Sequence, residues 1–193
     1  KLSGDPYETY IDKNILRPLE MYRSYFDATP PHLLTNRSHS YYIRDGKHTE
    51  GRFDANTGIT VANSGLNSPV SDMVKYLNFL IGDPKKRAGY DLILKRSSLE
   101  EMWQPQLPTP VDANGNSGFT TDIGLIYFLD RREDRTFVGH GGDQNGFISY
   151  IDLEPATRQA SMIVMNTNVT YPASTPPEKS VVSKMRNAIR DMY

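Results

Sequence analysis

The sequence predicts an α+β fold in which an antiparallel sheet is flanked by helices. Helix patterns and loops dominate residues 1–121, whereas residues 122–193 contain short apolar segments, polar turns and a final helix. The turns between these segments are too short for parallel crossovers, so the strands should form an antiparallel meander. A length of 193 residues fits one domain with a substantial core. We interpret the proline- and glycine-rich residues 104–121 as a surface loop, with a linker between domains as the alternative.

The most regular helix pattern lies between Ser68, the predicted N-cap, and Gly82, which closes the helix. Its apolar residues follow i, i+3, i+4, i+7 spacing: Val70, Met73, Val74, Leu77 and Leu80. An earlier helix is predicted to begin with Asp5 as its cap and to end at Pro18. A shorter helix is predicted to start at Ser97.

Strands are predicted over residues 123–129, 136–140, 147–153 and 160–166. Residues 41–44, followed by Asp45 and Gly46, indicate an additional strand that enters a tight hairpin turn. The terminal helix places apolar residues on one face: Val181, Val182, Met185, Ile189 and Met192.

Composition excludes several kinds of site and partner. The net charge of −1 provides no field that would attract nucleic acid, and no apolar run is long enough to span a bilayer. The absence of cysteine excludes disulfides, thiolate metal sites and a cysteine nucleophile. His32, His39 and His48 lack metal-ligand spacing, so we interpret them as surface histidines and expect neither metal nor cofactor.

The most informative run surrounds His140, Gly141 and Gly142, which follow an apolar strand pattern. A polar turn of Asp143, Gln144, Asn145 and Gly146 then leads into a second strand. Glycines permit positive φ or leave backbone bare, and a bare strand beside a histidine can offer N–H groups to a carbonyl or oxyanion. The simpler interpretation is a hairpin whose glycines serve the turn and whose histidine is only exposed.

A serine nucleophile with its base is not found. No serine is followed three residues later by lysine, and no G-x-S-x-G run occurs. Tyr76 and Asn78 formally match a Y-x-N triplet, but they lie within the predicted helix, where residues two apart point in nearly opposite directions. We therefore interpret this match as a coincidence.

Several runs, in the same order, resemble the serine β-lactamase-like family, which includes class C β-lactamases, DD-peptidases and esterases. They are SGDPYETYIDKNILRPLEM at 3–21, ANSGLNSPVSDMVKYL at 62–77, LEEMWQPQ at 99–106, GLIYF at 124–128, VGHGG at 138–142, GFISY at 146–150 and VMNTN at 164–168. The resemblance implies an incomplete β-lactamase or penicillin-binding-protein-like (transpeptidase-like) fold. Residues 1–193 would be the C-terminal part of a single such domain, with 1–121 mostly helical or loop and 122–193 carrying strands and the last helix.

The same resemblance implies roles for four residues. His140-Gly141-Gly142 matches the position of the family's K-T-G motif, so His140 would line the cleft and support proton transfer or the substrate carboxylate. Gly141 and Gly142 would contact substrate, and the Asp143 amide would supply one oxyanion-hole donor. The S-x-x-K motif and a credible Y-x-N would precede Lys1, so the chain alone should be inert.

Two functions follow from this resemblance. The first is one part of a serine hydrolase that cleaves an ester, amide or β-lactam, acting on a small-molecule or peptide substrate and partnered by its missing N-terminal portion. The second is a noncatalytic pseudoenzyme, or a binding or scaffold protein, of the same fold. The family suggests a bacterial periplasmic or secreted location, although the sequence itself leaves the compartment open.

Overall fold

A computed structural model describes residues 2–109, 121–132, 134–169 and 181–192. The α-helices, in chain order, are α1 Tyr7–Ile11, α2 Val61–Ser64, α3 Val70–Ile81, α4 Arg87–Ile93, α5 Arg96–Met102 and α6 Val181–Arg190. A π-helical turn, Asp12–Leu16, continues α1, and 3-10 turns occur at Pro31–Asn36, Gly58–Thr60 and Pro84–Lys86.

Eleven strands are found within these described residues. They are β1 Tyr25–Phe26, β2 Tyr41–Arg44, β3 Lys47–Glu50, β4 Leu66–Asn67, β5 Leu107–Pro108, β6 Asp122–Ile123, β7 Phe128–Arg131, β8 Thr136–Gln144, β9 Phe147–Glu154, β10 Gln159–Met165 and β11 Thr167–Val169. The main sheet has six antiparallel strands in the order β10-β9-β8-β7-β6-β5. Smaller sheets pair β1 with β4 and place β2 between β11 and β3. The predicted α+β class, an antiparallel sheet flanked by helices, is confirmed.

The core forms where α3 meets the main sheet. Leu80 of α3 and Leu129, Val138 and Leu153 of the sheet are at most 1% exposed. Residues from the N-terminal segment and α5 complete this cluster, including Leu16, Leu19, Met21, Leu99 and Trp103. The helical spacing predicted for α3 therefore does place Leu77 and Leu80 in the core, but Val70 and Val74 remain about half exposed.

The terminal helix α6 packs in a way that its apolar pattern does not indicate. Its buried residues are Ser183 and Arg190, whereas Val181 and Met185 are exposed. Arg186 and Arg190 both donate to the buried carboxylate of Asp152 on β9. The helix is thus held to the sheet by ion pairs, and part of its apolar face is left open.

Several predicted element boundaries are wrong. The expected strand 123–129 is two short strands, because Ile126 has a φ of +66° that breaks the extended backbone. Ser68 does not cap α3, whose N-cap is Pro69, since the Ser68 hydroxyl hydrogen-bonds the Ser24 hydroxyl instead. Similarly, α1 has Pro6 rather than Asp5 at its N-cap.

At one edge of the main sheet, β10 pairs with β9 and with no other described strand. Val164 on this strand is 46% exposed. An edge strand of seven residues leaves backbone N–H and C=O groups available for another strand. In the parts of the chain that are described, no helix has the length and apolar character required to cross a membrane.

Candidate functional site

His140 lies on β8, directly opposite Ile151 of β9, and is exposed. Its imidazole stacks on the ring of Phe128, with ring centroids 5.3 Å apart and planes inclined by 31°. Phe128 is the first residue of β7 and is 38% exposed. The structure therefore places an accessible imidazole against an aromatic surface. Sequence reasoning included Phe128 in the GLIYF run but gave it no role.

The turn that follows determines the direction of every N–H group on β8. Asn145 and Gly146 have φ values of +49° and +87°, as expected for a two-residue type I′ hairpin turn. Such a turn is closed by a hydrogen-bonded pair, here Gln144 and Phe147, and hydrogen-bonded pairs then alternate along an antiparallel ladder. Gly142 and His140 consequently bond to β9, whereas Gly141 and Asp143 direct their backbone groups away from it.

The strand on the other side of β8 ends before it reaches Gly141 and Asp143. β7 begins at Phe128, whose partner is Gly139, and the register between β7 and β8 extends no further. Within the described residues, therefore, no strand covers the outward backbone groups of Gly141 and Asp143. Within the part of the chain that is described, the N–H of Asp143 therefore has no strand partner, and it lies on the same strand as His140.

The two glycines after His140 are not required for positive φ, since neither adopts it. A Cβ added to Gly141 would lie 2.5 Å from Cε1 of Tyr150, the residue opposite it on β9. At Gly142 the nearest atom would be the Ser149 hydroxyl oxygen, at 3.1 Å. The sequence offered two explanations for these glycines, positive φ and close approach of another group. Close approach accounts for Gly141.

The Asp143 side chain is hydrogen-bonded, although no described strand pairs with the outward side of its backbone. The Asn168 side-chain amide on β11 donates to both Asp143 carboxylate oxygens, at 2.8 Å each. Because β11 pairs with β2, this contact ties the end of β8 to the small three-stranded sheet. Asn168 belongs to the VMNTN run, but nothing in the sequence indicated its partner.

The adjoining turn is held by residues that lie about a hundred positions earlier in the chain. The Ser40 hydroxyl donates to the Asn145 carbonyl at 2.5 Å, and the Asn145 amide donates to the Asp54 carboxylate at 2.8 Å. Gly146 lies against Ser40 and Tyr41, where an added Cβ would be 3.0 Å from the Tyr41 carbonyl. Together these contacts fix the position of the segment immediately after the glycines.

Tyr76 and Asn78, which match Y-x-N, lie inside α3. The Tyr76 hydroxyl is 3.4 Å from that of Tyr127, and burial raises the pKa of both tyrosines. The Asn78 carbonyl accepts from Gly82 at the helix end. Both residues thus have structural roles in α3, as expected if the match is coincidental.

The remaining histidines lie away from this strand in the sequence and are exposed. His39 contacts Glu50 at 2.5 Å, and His48 lies on β3 opposite Ile43. Among the described residues, no group of three or more His, Cys, Asp or Glu side chains could hold a metal ion.

A comparison with protein-family models decides the relationship. The model named Beta-lactamase matches residues 1–181, which is most of the sequence. The chain belongs to the Beta-lactamase family. This assignment confirms the resemblance that the collinear runs indicated. No curated protein sequence matches the chain.

Solved structures show the same fold. An octameric penicillin-binding protein homologue from Pyrococcus abyssi is 24% identical, with a TM-score of 0.71, and the match covers 98% of this chain and 39% of that one. D-amino acid amidase from Ochrobactrum anthropi is 21% identical, with a TM-score of 0.64 and coverages of 98% and 54%. A class C β-lactamase from Rhodobacter sphaeroides is 14% identical, with a TM-score of 0.67 and coverages of 99% and 56%.

The chain thus spans about half, or less, of the length of these three structures. At these identities the similarity establishes the fold, an incomplete β-lactamase or penicillin-binding-protein-like architecture.

Proposed function

We propose that this chain is the C-terminal portion of a serine hydrolase that cleaves an ester, amide or β-lactam through an acyl-enzyme. One observation carries the proposal: the outward N–H of Asp143 lies on an uncovered stretch of β8, three residues after the exposed imidazole of His140. A fixed backbone donor beside an imidazole is suited to stabilising a developing oxyanion and to moving a proton.

In this proposal the reaction has two steps. A serine hydroxyl gives its proton to the lysine of its S-x-x-K motif and attacks the substrate carbonyl. The oxyanion of the tetrahedral intermediate accepts hydrogen bonds from the Asp143 N–H and from the amide of the nucleophile itself, and collapse of the intermediate expels the leaving group and forms the acyl-enzyme. His140 supports proton transfer to the leaving group or binds the substrate carboxylate. Gly141 and Gly142 form the floor against which the substrate lies. Water then hydrolyses the acyl-enzyme.

The nucleophile is assigned to an N-terminal portion of the protein. No serine in the sequence is followed by lysine at the third position, and the family structures are about twice as long or longer. The described chain also has surfaces that such a portion would cover. β10 has one strand neighbour, and the apolar residues Val181 and Met185 of α6 are exposed.

The residues that replace K-T-G favour some classes of substrate over others. Histidine in place of lysine removes a permanent positive charge at neutral pH, and Gly141 lacks the threonine hydroxyl. Both changes weaken the case for binding a β-lactam or peptide carboxylate. They favour an esterase or D-peptide hydrolase, and the similarity in fold to a D-amino acid amidase makes D-amino acid amides suitable test substrates.

The test compares the full-length protein with chain 1–193 alone. Both are assayed with nitrocefin, p-nitrophenyl butyrate and D-phenylalanine amide, and both are treated with a fluorophosphonate probe. We expect turnover and labelling only in the full-length protein, with the labelled serine in an S-x-x-K motif outside residues 1–193. In the full-length protein, His140→Ala should lower kcat/KM by about 10²-fold or more.

His48→Ala is the matched control, because His48 is also an exposed histidine on a strand but lies on β3. It should leave kcat/KM unchanged. Labelling of a serine within 1–193, or turnover by the chain alone that persists after His140→Ala, would contradict the proposal.

The absence of S-x-x-K from this chain also supports a second candidate, a noncatalytic protein of the same fold. Sequencing the protein upstream of Lys1 separates the two candidates. A helix-borne S-x-x-K supports the hydrolase, whereas a full-length protein without that motif, and without fluorophosphonate labelling, supports the pseudoenzyme or scaffold.

A further inference from the structure

A cavity of about 360 Å³ lies between the helices α3, α4 and α5 and the turn that joins β9 to β10. This turn contains Pro155 and Arg158, whereas Ile151, the partner of His140, lies four residues before Pro155. At 3.3 Å per residue, these positions are about 13 Å apart along the strand. The cavity is therefore separate from the candidate active-site strand.

The cavity has an apolar floor. Phe79 and Leu99 are buried core residues that line it, and Tyr90 packs edge-on against Phe79, with ring centroids 5.4 Å apart. Leu94, at the end of α4, adds a further aliphatic surface. Its volume falls at the lower end of the range of ~300–1,000 Å³ that is typical of small-molecule pockets. An aromatic or aliphatic group of modest size would fit such a floor.

The acidic residues around the cavity are already hydrogen-bonded by the protein. Asp83 accepts from the Lys85 backbone N–H at 2.9 Å, and Asp91 accepts from the Arg96 N–H at 3.1 Å. Glu100 accepts from Nε of Arg96 at 2.8 Å. Arg96 is also engaged, since it donates to the Leu80 carbonyl as well.

Unlike Arg96, two other arginines that line the cavity are not hydrogen-bonded to the described acidic residues around it. Arg87 forms a loose ion pair with Asp91, whose carboxylate lies 3.7 Å from Nε and is therefore beyond hydrogen-bond distance. Arg158 is exposed and forms no ion pair with any described residue. The cavity thus combines satisfied acids with two guanidinium groups that retain donors for a ligand anion.

We propose that this cavity binds a small organic carboxylate, whose apolar body lies on Phe79, Leu94 and Leu99 and whose carboxylate is bound by Arg87 and Arg158. Guanidinium groups present paired N–H donors that match the two oxygens of a carboxylate. The apolar floor excludes inorganic anions as the preferred ligand, because they would leave it uncovered. This site is independent of the proposed hydrolase activity, and its test needs no turnover.

The test is a titration of the ¹⁵N-labelled full-length protein with 4-phenylbutyrate at low salt, monitored by NMR and calorimetry. The neutral 4-phenylbutan-1-ol is the matched ligand. We expect saturable shifts at Tyr90, Leu94 and Leu99 with the carboxylate and binding weaker by about tenfold with the alcohol. Signals of His140 and Gly142 should not move.

Two variants test the arginines. Arg158→Gly is favourable for the fold, because Arg158 has a φ of +57°, a conformation in which glycine is preferred. We expect it and Arg87→Gln each to weaken 4-phenylbutyrate binding about fivefold to tenfold. Arg52→Gln is the control, since Arg52 has a side chain that is 90% exposed and does not line the cavity, and it should have no effect.

Equal binding of the acid and the alcohol would overturn the proposal, as would shifts centred on His140. Absence of saturable binding up to the solubility limit, or unchanged affinity in both Arg158→Gly and Arg87→Gln, would also overturn it.

Discussion

The Tyr150 ring occupies the space in which a side chain at position 141 would begin. Gly141 and Tyr150 are directly opposite each other on β8 and β9, and an added Cβ at 141 would lie 2.5 Å from Cε1 of the ring. The Arg186 guanidinium lies 4.5 Å from the centre of the same ring and is itself bound to the buried Asp152. Gly141 therefore has a packing reason in this structure.

This contact predicts that Gly141→Ala lowers the free energy of unfolding of the chain by about 1–3 kcal/mol, because the ring must move against Arg186. Gly141→Ala should cost less in a Tyr150→Ala background than in the unmodified chain, since the clash with the ring no longer exists. Urea denaturation measures both quantities. Gly142→Ala is the control and should cost less, since Ser149 is a smaller neighbour at 3.1 Å.

A second prediction concerns the contact between Asn168 and Asp143. Asn168→Asp would place a carboxylate where the amide now donates to both Asp143 oxygens at 2.8 Å. At neutral pH we expect a loss of about 1 kcal/mol and faster hydrogen exchange across Gly141–Gly146, because the two charges repel. Adding Asp143→Asn should restore most of the protection. If exchange across this segment is the same in Asn168→Asp as in the unmodified chain, the contact does not position it.

A third prediction concerns the buried ion pairs that hold α6. Arg190 is 3% exposed and donates to both Asp130 and Asp152, at 2.8 and 2.6 Å. Arg190→Met should cost about 2–3 kcal/mol of unfolding free energy, because it removes the most buried partner of both carboxylates. It leaves Asp152 with Arg186 and Asp130 with the more exposed Arg132. Arg132→Met, which removes a more exposed partner 3.3 Å from Asp130, should cost less than about 1 kcal/mol. Comparable losses in the two variants, measured by urea denaturation, would contradict this view of α6.

A fourth prediction concerns pH. Hydrogen bonds from Arg135 at 2.7 Å, and then from Thr157 at 2.7 Å, lower the pKa of Glu154. A carboxylate whose pKa is lower in the folded state contributes stability that is complete above its unfolded pKa and is lost as the pH falls through its folded pKa. Acid should therefore destabilise the chain as the pH falls below the ordinary glutamate pKa of about 4.3.

Glu154→Gln should reduce this acid dependence, measured as the free energy of unfolding at a series of pH values. Glu101→Gln is the control, because Glu101 is exposed and forms no ion pair with the described residues. The same acid dependence in Glu154→Gln and in the unmodified chain would show that other carboxylates are responsible.

Local patterns were sufficient where structure depends on near neighbours. The spacing of apolar residues predicted α3, and Gly82 ends it with a φ of +78°, as its position indicated. Local patterns failed where a residue distant in the sequence takes the hydrogen bond that a nearby group was expected to form. Ser68 is a suitable N-cap by type, yet its hydroxyl bonds to Ser24, which is 44 residues away in sequence.

The terminal helix shows the same limit. Its apolar periodicity identified a helix but not the face that packs on the sheet. Arg186 and Arg190 are drawn to that face by Asp130 and Asp152, which become close only when β7 and β9 form part of one sheet. Charges that are far apart in the chain thus decided its orientation.

The sequence by itself determined the α+β class, the family runs and a turn that ends at Gly146, because helical periods, strand alternation and turn conformations depend on nearby residues. It placed that turn over Asp143–Gly146, whereas β8 continues to Gln144 and only Asn145 and Gly146 form the turn. It could not determine that β7 stops opposite Gly139, that Tyr150 covers Gly141 or that Asn168 binds Asp143. Those relationships depend on register and on the meeting of segments distant in sequence, so the open N–H of Asp143 exists only in the folded chain.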